Sequence, residues 1–375
     1  MKKIQFKKML SNILVLTVIL AFVSCKSSAL NNSVKSNTDS RSITPVQLIS
    51  KSSGEISVMA FNVENMFDSI HNEGVGDYAY LPVSQKNTQE VKDYCNTLSG
   101  FYKSDCYTKD WSDEAVDFKL SQVAKIITYV DNGQGPDNLI LSEVENENIL
   151  KMLVNKHLSK FGYKTVSILK GPDPRGINTA FISKFPQIGI SKLHLIPYTD
   201  AGGLKSRGIL ETTVKINNKS VSFLAAHFPS QSNPSFWRKE AFEHMRKIML
   251  ESAKNGKAII GGGDLNTVPE EDSKDGYFSK ILSEAADVSH LVDCKTCEGT
   301  HSYRGQWSFL DVIAFGKNLL QDSGLSLIPG SIYVVKTPVN MKPNGTPLRF
   351  DENKKEGVSD HFPIYSRLKI NTLTQ

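Results

Sequence analysis

Read for apolar positions alone, the chain repeats short runs of β-prone residues, and several of these runs end in Asp, Asn, Glu or His. Ile56 to Phe61 leads into Asn62, and Asn138 to Glu143 ends in acids. Thr179 to Ser183, Ser220 to His227, Ala258 to Asp264, Ser308 to Phe315 and Phe362 to Leu368 continue the series. Runs of this length between polar clusters predict buried strands. The period changes between Ser112 and Val130. There Val116, Leu120, Val123, Ile127 and Val130 share one face and Ser112 stands as N-cap, which predicts a helix. Trp237 to Ala253 predicts a second helix between two strands. Strands interleaved with a few helices imply a layered α/β protein with a large buried sheet system. His71 to Trp111 is polar, turn-rich and irregular, so it reads as an insertion or a rim. Rigid strands that end in polar groups can converge those groups on one spot.

The N-terminus follows a different pattern. Lys2, Lys3, Lys7 and Lys8 precede an apolar run from Ile13 to Val23, and Ser24-Cys25 follows. This is the pattern of a signal peptide over residues 1–24, and the run is short for a membrane span. A Cys directly after the run predicts lipidation at Cys25, with simple secretion as the alternative. Residues 25–54 are rich in Ser, Asn and Lys without periodicity and predict a flexible tether. A single folded domain is expected over 55–371. These features predict export and attachment to a bacterial membrane, in the periplasm or at the cell surface.

Export changes what charge and cysteine content mean. The formal net charge is +5, but the four lysines before Cys25 leave about +1 on the exported chain. That is not the basic balance of a protein that grips duplex DNA by its phosphates. Apart from Cys25, the cysteines are Cys95, Cys106, Cys294 and Cys297, an even set that predicts a disulfide within each local pair. A zinc site is the rival for the second pair, because His290, Cys294, Cys297 and His301 have suitable types and spacing.

Each polar strand end has an ordinary structural explanation when taken alone. Asn62-Val63-Glu64-Asn65 suits a turn, Glu143 a helix start, and His227 a proline turn. Asp311, inside Phe309-Leu310-Asp311-Val312-Ile313, is costly unless paired. Together they are specific. Phe61-Asn62-Val63-Glu64-Asn65, Ser142-Glu143-Val144, His227, Gly263-Asp264-Leu265-Asn266, Leu310-Asp311-Val312-Ile313 and Ser359-Asp360-His361 stand in the order of the endonuclease/exonuclease/phosphatase superfamily, the deoxyribonuclease-I-like enzymes. The chain resembles that superfamily over roughly 55–371, and the first block, with Met66-Phe67-Asp68 after it, looks especially like exported bacterial members.

The resemblance implies an α/β four-layer sandwich of two packed mixed β-sheets flanked by helices. It implies a hydrolase of phosphate esters that uses Mg²⁺, with Mn²⁺ or Ca²⁺ as alternatives, because a hard cation on oxygen ligands neutralises developing charge. Glu143 is then the principal metal ligand, with Asn62 and Asp360 beside it and Glu64 in an outer position. Asp264 and Asn266 would orient or deprotonate the attacking water. His361 would face the phosphate with Asp311 fixing its ring, and His227 would face it from the other side. Arg175 and Asn178 are candidates for phosphate contacts, against a surface-loop reading of the arginine. Trp307 is expected in the core. Two departures stand out: Leu265 replaces a usual Phe, and Glu64 a commoner Asp.

Two substrate classes remain open, nucleic acid and small or lipid phosphoesters such as inositol phosphates or phospholipid head groups. Lys342, Arg349, Lys354 and Lys355 are offset by neighbouring acids, which does not mark a duplex-groove binder. A non-catalytic binding lipoprotein on the same fold is the alternative of a different class. Beyond substrate and membrane, no protein partner is implied.

Overall fold

The computed structural model describes residues 49–200, 206–294 and 297–371. The proposed signal peptide and Cys25 lie outside the described residues. The chain opens with β1 (Glu55–Met66), passes through helices α1 (Gln89–Thr97), α2 (Gly100–Thr108) and α3 (Asp113–Ile127), and returns as β2 (Asn138–Val144). Helix α4 (Glu147–Met152) leads to β3 (Thr165–Ile168) and β4 (Asn178–Ser183). The strands β5 (Lys192–His194), β6 (Ile209–Ile216) and β7 (Lys219–His227) follow, then helix α5 (Ser235–Lys254) and β8 (Ala258–Asp264). After α6 (Pro269–Asp275) come β9 (Ala286–Val288), α7 (Ser289–Val292), the small hairpin β10 (His301–Tyr303) and β11 (Gln306–Ser308), and β12 (Asp311–Gly316). Helix α8 (Leu319–Ser323), β13 (Leu325–Leu327), β14 (Tyr333–Val334) and β15 (Ile364–Ile370) complete the order.

The strands form two principal sheets. The first runs β13-β15-β1-β2-β4-β3 with β14 beside β15, and the second runs β5-β6-β7-β8-β12-β9. Each sheet contains one parallel pair, β1 with β2 and β7 with β8, and the other pairings are antiparallel. A parallel pair needs a crossover connection. Helix α3 lies on the crossover from β1 to β2, and α5 on that from β7 to β8.

Strand alternation sorts the core into layers. Ile56, Val58 and Ala60 of β1 pack with Phe181, Phe223, Ile260 and Ile313 between the sheets. Met59, Phe61 and Val63 of the same strand turn outward to Val116, Leu120, Val123 and Ile127 of α3. On the far side, Ala241, Phe242, Met245 and Met249 of α5 cover Leu224, Ala226 and Ile259. Both faces of the central strands are therefore buried, which explains their nearly continuous apolar runs. The fold is the expected α/β four-layer sandwich of two mixed sheets flanked by helices.

The structure differs from the sequence reading in three places. The 71–111 stretch is largely helical: α1 and α2 form a hairpin bridged by a Cys95–Cys106 disulfide and packed with Leu81 and Val91. The strand expected from Ser308 begins at Asp311, because Ser308 belongs to the β10–β11 hairpin. Trp307 is half-buried at the surface rather than in the core, stacked on Phe362 with the Lys336 ammonium 4.7 Å from its ring.

The zinc reading of the second cysteine pair fails. Cys294 and Cys297 form a disulfide. His290 is sandwiched by Phe278 and Phe309, with ring centroids 4.8 and 4.7 Å away.

Candidate active site

The polar strand ends meet at one end of the sandwich. Asn62 and Glu143 come from the C-terminal ends of the parallel strands β1 and β2. His227 and Asp264 are direct cross-strand neighbours at the C-terminal ends of β7 and β8, and Asp311, the first residue of β12, pairs with Asp264. Gly263 makes this register feasible. It has φ of +122°, and a side chain there would collide with the Ala226 carbonyl.

Several backbones at the site sit in the left-handed region. Glu64, Asn65, Glu143 and Asn266 have φ of 50, 54, 65 and 50°. The register of β1 against β2 shifts between Asn62 and Met66, and that of β2 against β4 between Ser142 and Val144. Such bulges re-aim side chains at strand ends, at a cost the surrounding packing offsets.

A continuous hydrogen-bond chain links the two sheets. Asp311 accepts the Asn62 backbone N–H at 3.1 Å and contacts His361 Nδ1 at 2.6 Å. The Asn62 amide donates to Asp264 at 2.9 Å and to Glu143 at 3.2 Å. Asp264 also accepts the Asn266 N–H at 2.9 Å, while Glu143 accepts the Asn65 N–H at 2.9 Å. Two imidazoles face the Asp264 carboxylate: Nε2 of His227 at 3.5 Å and Nε2 of His361 at 3.9 Å. The carboxylate in the apolar strand is thus explained, since Asp311 is fully buried but doubly bonded.

Electrostatics separates the two histidines. Burial depresses both, but Asp311, Asp264 and Asp360 outweigh it at His361 and raise its pKa well above the ordinary value. At His227 burial acts with Arg207 and Arg175 and pushes the pKa well down. His227 is therefore a neutral imidazole, and its Nδ1 is buried without a hydrogen-bond partner. Burial lifts Asp264 to about 7, with His361 opposing and Asp311 assisting.

Glu143 and Asp360 are the accessible carboxylates, with side chains 19 and 28% exposed. Glu64 is held back: its carboxylate takes the Arg349 guanidinium at 2.6 Å, and burial and Asp360 raise its pKa. This is an outer position, and the side-chain Oδ1 of Asn62 is occupied by the Glu64 N–H at 3.0 Å. The open donors are thus carboxylate oxygens without a closed cage. That matches Mg²⁺, which binds through one or two carboxylates and completes its shell with water and substrate phosphate.

The two proposed phosphate contacts diverge. Arg175 stands on the rim with an exposed side chain bonded to Asp173 at 3.2 Å, within electrostatic reach of Glu143. Asn178 is used by the backbone instead, donating to the Glu145 and Gly176 carbonyls and accepting from Gly171 N–H. It clasps the turn after Glu143 and has no amide hydrogen left for a phosphate.

Positioning residues escaped the sequence reading. Arg207 is buried, donates to the carbonyls of His227 and Phe228 at 3.0 and 2.9 Å, and pairs with Asp173 at 2.7 Å. Lys119 of α3 is buried and donates to the Val358 carbonyl at 2.5 Å, just before Ser359-Asp360-His361. The Ser359 hydroxyl donates to the Asn62 carbonyl at 2.7 Å and accepts the His361 N–H at 3.0 Å. Only the serine left a sequence signal, as the first member of the triplet.

Solved structures share this fold at low identity. An endonuclease/exonuclease/phosphatase from Beutenbergia cavernae has a TM-score of 0.53 at 14% identity, covering 84% of this chain and 72% of its own. A Bacteroides thetaiotaomicron endonuclease/exonuclease/phosphatase family protein has a TM-score of 0.52 at 14% identity, covering 85 and 99%. ANGEL2, a 2′,3′-cyclic phosphatase, has a TM-score of 0.52 at 14% identity, covering 85 and 96%. No curated protein matches the chain in sequence. A family model spanning residues 101–370, well over half of the chain, matches directly, and the protein is accordingly a member of the endonuclease/exonuclease/phosphatase family.

Proposed function

We propose that the protein is an exported, divalent-cation-dependent phosphodiesterase. One observation carries this reading: Asp311 and His361 pair at 2.6 Å, and the free Nε2 of His361 faces Asp264 beside the Asn62–Glu143 contact. Glu143 and Asp360, backed by Asn62 and Glu64, would hold Mg²⁺, which when bound would supply charge neutralisation at the phosphate. Asp264, oriented by Asn62 and by the Asn266 N–H, accepts a proton from the attacking water. The water oxygen bonds to phosphorus, the P–O ester bond breaks, and the departing oxygen leaves as an alcohol, taking its proton from solvent. His361, kept cationic by Asp311, meets the charge that builds on phosphate oxygens, and neutral His227 bounds the pocket opposite. Arg175 and Arg349 supply cations at the rim.

Nucleic acid is the proposed substrate class, with small or lipid phosphoesters as the alternative; the rim guanidiniums suit phosphate of either kind. The signal-peptide pattern and Cys25 support attachment to a bacterial membrane, with residues 25–54 as tether and 55–371 as the catalytic domain. The test is a substrate panel of bis-aryl phosphate, single-stranded and plasmid DNA, and inositol phosphates, with and without EDTA. Asp264→Asn and His361→Ala should each lower turnover by about 10²–10⁴-fold, the usual worth of positioned acid–base groups. A wild type that leaves every member uncut in Mg²⁺ refutes the proposal.

A further inference from the structure

At the edge of the phosphate site, His301 joins Asp360 and His361 in a cluster of ligating atoms, and His301 is a member that the hydrolytic reading does not use. His301 begins β10 and forms an isolated antiparallel bridge with His361. Their rings lie 4.9 Å apart at 42°. Asp360 completes the group, with its Oδ1 3.9 Å from His361 Nε2. One ligand atom from each of His301, Asp360 and His361 lies within 4.8 Å of the others, the one such grouping of His, Cys, Asp or Glu among the described residues.

We propose that His301, Asp360 and His361 form a binding site for a transition metal of the Zn²⁺ type, overlapping the phosphate site. Two imidazoles and a carboxylate are a donor set that zinc accepts, whereas Mg²⁺ prefers oxygen. Tetrahedral zinc with bonds of 2.0–2.1 Å needs its donors about 3.4 Å apart, so side-chain rotations of about 1 Å close the group. One ligand is already supported from behind. Asp311 holds His361 Nδ1 at 2.6 Å, so zinc takes Nε2 by displacing its proton to solvent, giving a carboxylate–histidine–metal arrangement. The His301 ring has no hydrogen-bond partner among the described residues, so it gives up no protein bond on ligation. His361 is buried, but His301 and Asp360 are half-buried and reach solvent, so a fourth position is open to water from their side.

The site takes His361 and Asp360 out of the phosphate machinery when it is filled. Zn²⁺ therefore inhibits the hydrolysis that Mg²⁺ supports, and His301 confers the sensitivity. The inhibition depends on the proposed phosphodiesterase activity; zinc binding does not.

The experiment is calorimetric titration of Zn²⁺ into the protein in excess Mg²⁺, with Co²⁺ absorption as a second readout. Wild type should show a zinc site that Mg²⁺ does not displace, and visible Co²⁺ bands of a four-coordinate ion. His301→Phe keeps a ring against His361 but removes the nitrogens; it should weaken zinc at least tenfold and lose the Co²⁺ bands. Near-UV circular dichroism checks its fold, and His301→Asn serves if the phenylalanine variant does not fold. Equal zinc affinity in wild type and variant, or no zinc site in wild type, overturns the proposal. A zinc site in a protein that cleaves no phosphoester in Mg²⁺ refutes the phosphodiesterase and leaves the metal site standing.

Discussion

At the residue scale, the chemistry rests on partners that tune single side chains. Asp311→Asn keeps the shape beside His361 and removes its main counter-charge. The imidazolium should then lose its proton at lower pH, so the alkaline limb of the activity profile moves to lower pH. Turnover should fall by at least tenfold with KM nearly unchanged, as read from initial rates between pH 5 and 10.

His290 offers a separate test, remote from the site. Burial lowers it from 6.5 to about 4, so the folded state holds it neutral where the unfolded chain would bind a proton. Its contribution to stability is present above pH 6.5 and is lost as the pH falls towards 4. Thermal melts should therefore fall more steeply on acidification for wild type than for His290→Phe. The difference should be on the order of 1 kcal/mol per pH unit within that window.

The site residues legible in the sequence were those whose local context was odd. Asp311 is a carboxylate in an apolar run, and Asp264, Glu143 and His227 end strands. Arg207 and Lys119 carried no such mark, and His301 was read only as a partner of the Cys294 and Cys297 pair. Their partners lie far along the chain, 239 positions away for Lys119 and Val358, so no local pattern marks them.

At the element scale, the Ser359–His361 segment is held by a helix it does not belong to. Lys119 and Gln122 of α3 donate to the carbonyls of Val358 and Gly357, and Gly357, with φ of +76°, admits no side chain against the Arg349 carbonyl. Lys119→Met fills the same volume but leaves the Val358 carbonyl unsatisfied. It should cost about 1–3 kcal/mol in denaturant melts. Turnover should drop further than the stability loss explains, because Asp360 and His361 lose their anchor. The helical hairpin of α1 and α2 should behave oppositely. Replacing Cys95 and Cys106 by Ser removes a cross-link worth about 3 kcal/mol for a loop of this length, yet no site residue lies in it. Melting temperature should fall while Mg²⁺-supported turnover at 25 °C changes less than twofold. The hairpin was unreadable in sequence because its apolar positions are few and pack on one another: Val91, Cys95 and Cys106 with Leu81. The long strands and α3 were readable because each buries a full periodic face.

At the scale of the whole molecule, neither sheet owns the reaction. Asn62, Glu143 and His361 project from the first sheet and its loops, while His227, Asp264 and Asp311 project from the second. Polar ties cross between the sheets at that end: the Ser142 hydroxyl accepts the Asp264 N–H and reaches the Ala226 carbonyl, each at 3.3 Å, and Thr179 donates to Ala225 at 3.1 Å. Away from the site the sheets touch largely through apolar contacts such as Phe181 stacked on Phe223 at 4.7 Å, with one polar tie at the edge, where the Thr212 hydroxyl donates to Ser167 at 2.9 Å. An apolar contact weakens gradually as it shifts, whereas a hydrogen bond is lost within about an ångström. The molecule is thus a vernier whose scales are the two sheets, and the reaction is legible only where the marks align. On warming, a slip of about an ångström should silence turnover while circular dichroism still reports native strands. Inactivation curves should lead unfolding curves, and superimposed curves would show that the scales never move separately.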